Sequence, residues 1–106
     1  MATVTRGPTD SYVEKIRTVL DDYERKHPGA QAEVYRQNSA SIRIRIFDDN
    51  FASLSKGDRH DRVFDFLAAG LDNDTLQEIS MLVPVVRSEK QSFISAEFDD
   101  PIPSAF

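Results

Sequence analysis

Isoleucine at 42, 44 and 46, with arginine at 43 and 45 between, leaves the segment Ser41–Phe47 little freedom in what it can become. Alternation at a period of two is that of a β-strand. It places Ile42, Ile44 and Ile46 on one face and Arg43, Arg45 and Phe47 on the other. A sheet that buries one side and wets the other produces this pattern, and the buried side needs a second layer.

The flanking sequence supplies that layer. Upstream, Val13, Ile16, Val19, Leu20 and Tyr23 recur at helical spacing opposite Glu14, Lys15, Arg17, Asp21, Asp22 and Arg25. A helix is expected from about Tyr12 to Lys26. Ser11 and Glu14 form its capping box, and His27-Pro28-Gly29 stops it. "AQAEVYRQ" reads as a strand with Ala30, Ala32 and Val34 on one face, and "RQNSAS" as the turn of a hairpin into the isoleucine strand. Downstream, Asp58 is placed to cap a second helix whose apolar face holds His60, Val63, Phe64, Leu67 and Leu71. Gly70 and "LDND" end it, and "DTLQEI" adds a turn capped by Asp74. "SMLVPVVR" is a strand that Pro84 makes bulged, short or an edge, because proline donates nothing to a ladder. "SFISAEF", residues 92–98, is open to reading as a fourth strand.

The expected fold is therefore an α+β two-layer sandwich in the order α-β-β-α-(α)-β. Residues 11–98 make one domain, 1–10 a flexible lead and 99–106 an irregular tail. A chain of 106 residues suits one domain of ordinary size.

Composition narrows function chiefly by exclusion. With no cysteine there is no disulfide, thiolate metal site or thiol nucleophile. Thirteen basic against 18 acidic residues give a net charge of −5, which argues against a strong non-specific hold on nucleic acid. Neither an apolar N-terminal run nor a membrane-length apolar stretch occurs, so a cytoplasmic protein without a membrane partner is expected. Nucleophile elbow, phosphate loop and His-Glu-x-x-His are all missing, and adjacent acids such as Asp48 and Asp49 point to opposite faces of a strand. No catalytic activity is expected.

Two groups of residues remain as candidate sites. The corner "SLSKGDRH" offers Lys56, Gly57, Arg59 and His60 at a helix start, where backbone N–H groups and a lysine suit an anion. His60 reads more simply as a packed histidine bonded to the preceding loop, since no second ligand stands at helical spacing. His27, at a helix C-terminus, is explained by the dipole. Arg43, Arg45 and Phe47 form a basic and aromatic sheet face, open to single-stranded nucleic acid, to a protein partner or simply to water.

The stretch from "FDDNF" through the Ser-Lys-Gly loop to "RHDRVFDFL" resembles the centre of the BolA-like proteins. The matching positions are Asp48 or Asp49, Phe51, Gly57, Arg59, His60, Val63, Phe64 and Leu67, and the resemblance spans about residues 12–87. It implies a small fold related to the type II KH domain, and binding as the function: to monothiol glutaredoxins, with a shared iron–sulfur cluster, or to DNA. The family's longer first-hairpin loop, with its Cys or His ligand, is here the short "RQNSAS". Gln77 or Glu78 stands near the place of its second histidine. No cofactor is therefore expected, and a protein partner is the leading expectation, with KH-like nucleic-acid binding or a purely structural role as alternatives.

Overall fold

The structure, a computed structural model, describes residues 1–99. In chain order the elements are β1 (Thr3–Val4), α1 (Ser11–Lys26), β2 (Gln31–Asn38), β3 (Ser41–Phe47), a 3-10 turn (Asp49–Ser53), α2 (Lys56–Gly70), α3 (Asn73–Glu78), β4 (Ile79–Val85), a second 3-10 turn (Arg87–Glu89) and α4 (Phe93–Asp99). The four strands form a mixed sheet in the order β1-β2-β3-β4, antiparallel only between β2 and β3. The molecule is thus a small α+β domain.

Ile42, Ile44 and Ile46 are all fully buried. They join Ala32 and Val34 of β2 and meet Val13, Ile16, Leu20 and Tyr23 of α1 and Val63 and Leu67 of α2. Complete burial of each isoleucine contributes on the order of 2 kcal/mol. Burial also pushes the Tyr23 phenol up to about 12, with the charge of Asp48 adding to the effect. Gly29, at φ 93°, turns the chain out of α1 in a conformation that suits glycine.

Several expectations change. The chain before α1 is not a loose lead: β1 pairs in parallel with β2, and Ala2 is buried. Between β1 and α1 the backbone turns at Gly7 (φ 78°), where a Cβ would stand 2.7 Å from the Arg36 carbonyl oxygen. Gly7→Ala is expected to cost about 1–3 kcal/mol, read as a lowered urea midpoint. An unchanged midpoint would show that this turn does not hold β1 in place.

The helix caps also shift. Asp10, not Ser11, caps α1 by accepting from Val13 N–H, and the same carboxylate binds Arg36. Glu14 instead binds Arg17. Ser55 caps α2 by accepting from Asp58 N–H, and Asp72, not Asp74, caps α3. In each case the true cap lies upstream of the expected one, and the expected acid falls in the helix's first turn, where the dipole also favours it.

Residues Phe93–Asp99 are helix, not a fourth strand, and α4 lies across the sheet face opposite α1 and α2. The face of Arg43, Arg45 and Phe47 is therefore not wet. Phe98 packs with Tyr35, Phe47, Val83 and Val85 in a second core. Arg45 is only 2 % exposed. Its guanidinium lies between the rings of Phe47 and Phe98, at 4.7 and 4.5 Å, and binds Glu33 and Asp99. Arg6, Arg43, Arg45 and Tyr35 all donate to carbonyl oxygens between Ser95 and Asp99. Those of Glu97, Phe98 and Asp99 are acceptors that a helix end leaves unpaired, at the negative pole of its dipole. The alternating arginines thus hold a helix on the sheet. The expected 99–106 tail lies, from residue 100 onward, outside the described residues.

Candidate binding groove

The strand-to-helix corner is held tightly by its own residues. Asp48 is buried and caps the first 3-10 turn through Asn50 N–H, while its own N–H donates to the Val85 carbonyl. Phe51 enters the main core. Arg59, 7 % exposed, donates from Nε to the carbonyls of Phe51 and Leu54, and from Nη1 to Glu89 at 2.8 Å. Arg59 is therefore committed to folding contacts and is not free to hold a ligand. Arg43 and Arg45 lie under α4, on the opposite side of the sheet from α2, so the four expected cations do not form one patch.

His60 does not pack inward. The buried stripe of α2 runs through Arg59, Val63 and Leu67, four apart, and His60 stands one position round the helix. Its side chain is half exposed, and its ring lies parallel to that of Phe64, with centroids 6.1 Å apart. Phe64 is itself 41 % exposed. Lys56 and Gly57 are exposed in the first turn.

Lys56 and His60 share a concavity with residues that sequence reading did not gather. One wall is the start of α2, with Lys56, Arg59 and His60. The floor is β4 from Leu82 to Val85, and the far wall is Glu89, Ser92 and Ile94. The volume is about 180 Å³, comparable with the ~150 Å³ cavity that accepts benzene. Exposed Ile94 and, beside His60, Phe64 extend the apolar surface at its mouth. Pro84 was the sequence signal for this region, and β4 is indeed an edge strand. Glu89, Ser92 and Ile94 carried no site signal, and the last two lie in the stretch open to reading as a fourth strand.

The open side of β4 can be phased. The Val85 carbonyl accepts from Asp48 N–H, so the backbone groups of Val85 and Val83 face β3. Strand alternation then turns those of Leu82 and Pro84 outward. The proline thus sits where its missing N–H costs the sheet nothing.

Glu89 balances Arg59 in this groove. The Val86 N–H it accepts, with Arg59 and Lys56 nearby, outweighs burial and holds its carboxyl below the ordinary 4.5. A depressed folded value means its stabilisation is complete above the unfolded value and fades as pH falls through the folded one. Glu89→Gln is expected to narrow the stability gap between the proteins as pH drops from about 6 to about 3. A gap constant in urea melts across that range would remove the carboxylate from the account.

A larger, open concavity of about 950 Å³ lies elsewhere, lined by Met1, Glu24, Glu33, Arg45 and Arg87 among others. Most of its charges are matched, the terminal amine with Glu24, Arg45 with Glu33 and Arg87 with Asp49, while Lys90 makes no ion pair among the described residues. Lys56 makes no ion pair among the described residues either, but it stands beside a lining that is mostly apolar. No helix among the described residues is long and apolar enough to cross a membrane. No protein-family model, curated protein or solved structure matches the chain.

Proposed function

We propose that this chain is a small non-enzymatic binding domain, similar to the BolA-like and type II KH proteins, that takes a protein partner at the corner of residues 54–60 and the groove beside it. The observation carrying this reading is a preformed apolar groove along a strand edge that is open among the described residues, with a lysine at its mouth that makes no ion pair among them. Mostly apolar concavities with a few placed polar groups are where ligands and partner side chains seat. The order of helix, antiparallel hairpin, helix, short helix and strand supports the resemblance. The Arg43–Arg45–Phe47 face drops out of the contact surface, because α4 covers it.

The test is quantitative affinity capture with the full chain, compared with Lys56→Glu and with Ile94→Ser. A specific partner should be lost from both variants and retained by Arg25→Ala, a change at an exposed position of α1. Equal retention by all four proteins would remove the groove from the reading.

A second reading, KH-like nucleic-acid binding, is favoured by Lys56 and Gly57 standing exposed at the start of a fifteen-residue helix. Salt-titrated anisotropy with single-stranded RNA and duplex DNA separates the two. Binding that falls steeply with salt and is abolished by Lys56→Glu would favour nucleic acid.

A further inference from the structure

The geometry points to strand addition at the free edge of β4: the groove receives an extended peptide bearing an apolar side chain next to a carboxylate. This rests on the protein-binding reading above and specifies the partner's chemistry. Three observations carry it.

First, the groove lies in the cleft between the layers, with α2 on one side and the segment leading into α4 on the other. Its floor is the edge of a strand that, among the described residues, pairs only with β3. The outward N–H and C=O of Leu82 and the outward C=O of Pro84 are main-chain groups that β3 cannot use. An added strand pairs with such groups and places alternate side chains in adjoining pockets. Proline leaves Leu82 as the one outward donor over the groove floor, so the pairing is short and side chains must supply much of the affinity.

Second, the space beside Leu82, Pro84 and Ile94 accepts one apolar side chain of moderate size. The rest of an extended peptide would remain near the surface.

Third, the charge has one sign left over. The titratable groups lining the groove are Lys56, Arg59, His60 and Glu89. Arg59 and Glu89 neutralise each other, and neither Asp58 nor Asp61 lines the groove. Lys56 remains, at the positive end of α2, on a chain of net charge −5. A peptide carboxylate complements this, whereas a second copy of the same acidic chain does so poorly. Within the groove a nucleic-acid backbone would meet one cation without an ion pair among the described residues, Lys56, with Glu89 in the same lining.

The experiment selects nine-residue peptides from a phage-displayed random library on the full chain. The enriched peptide is then titrated into isotope-labelled protein and followed by amide NMR. Expected are a consensus pairing an apolar residue with Asp or Glu, and shifts centred on Leu82, Lys56 and His60. Single backbone N-methyl groups walked along the peptide should weaken binding about tenfold at alternate residues and little at those between. Lys56→Glu should weaken binding to a similar degree.

Sensitivity to N-methylation without a period of two overturns strand addition while leaving the groove as a docking site. So does a consensus of basic residues, for the charge assignment. A selection yielding no peptide that shifts Leu82 overturns strand addition outright. If a single-stranded oligouridylate shifts those amides instead, the protein-binding reading fails with it.

Discussion

Replacing Arg45 with alanine is expected to lower the unfolding free energy by about 3 kcal/mol. The guanidinium is almost wholly enclosed, stacked between Phe47 and Phe98, and it donates to Glu33, to Ser95 and to Asp99. Its removal takes away packing on two aromatic rings as well as charge. The loss stops short of the largest values seen for broken buried pairs, because Glu33 and Asp99 keep some access to water and can hydrate once unpaired. Urea melts measure the total, and hydrogen exchange locates it. The amides of α4 should lose protection first, since Arg45 bridges that helix to the sheet. Arg45→Met, which keeps most of the bulk, should recover part of the loss. A change within about 0.5 kcal/mol of wild type for the alanine variant would mean that Phe98, Tyr35, Arg6 and Arg43 hold α4 without it.

That expectation reverses the reading the same residue invites from sequence. The period of two correctly divides β3 into an isoleucine face and an arginine face, and the hairpin and the helix after it follow from equally local signals, while Pro84 left bulge, short strand and edge open until the strand order showed an edge. What local signals cannot tell is whether a basic face meets water or meets the carbonyl end of a helix arriving from fifty residues away in sequence. Both environments satisfy an arginine. The segment 92–98 was ambiguous for a related reason: with seven residues, periods of two and of 3.6 are hard to separate, and Ser95 and Phe98 mark the inner face only once the sheet is there to define it. His60 illustrates the same point in α2. Histidine passes for apolar in a helical pattern, while Arg59, which looks like surface, is the residue that goes inside, because Phe51, Leu54 and Glu89 wait there as acceptors. The candidate groove was half legible. Lys56 and His60 were marked by their place at a helix start, but the opposite wall is assembled by the chain's return after β4, and no residue there advertises it.

Ile44→Ala is the substitution expected to cost most, about 4 kcal/mol, against about 1 kcal/mol for Ile44→Val. Ile44 occupies the middle of β3, which has strand neighbours on both sides, and its side chain is fully buried in the main core. The helical layer over Ile44 has little room to collapse into the space left: α1 and α2 approach closely enough that a Cβ at Gly70 would stand 3.0 Å from Val19. The void should therefore persist and add its own penalty to the lost transfer free energy. A domain of this size is stable by only about 5–15 kcal/mol, so the variant should begin to unfold in little denaturant. Its pattern should differ from that of Arg45→Ala. Losing Ile44 weakens the layer to which both helices and the hairpin belong, so exchange protection should fall in α1, α2, β2 and β3 together; losing Arg45 should fall first on α4. If Ile44→Ala instead left α1 and α2 protected and loosened only the edge strands, the isoleucine face would not be the base on which the rest of this domain, including the groove at β4, is built.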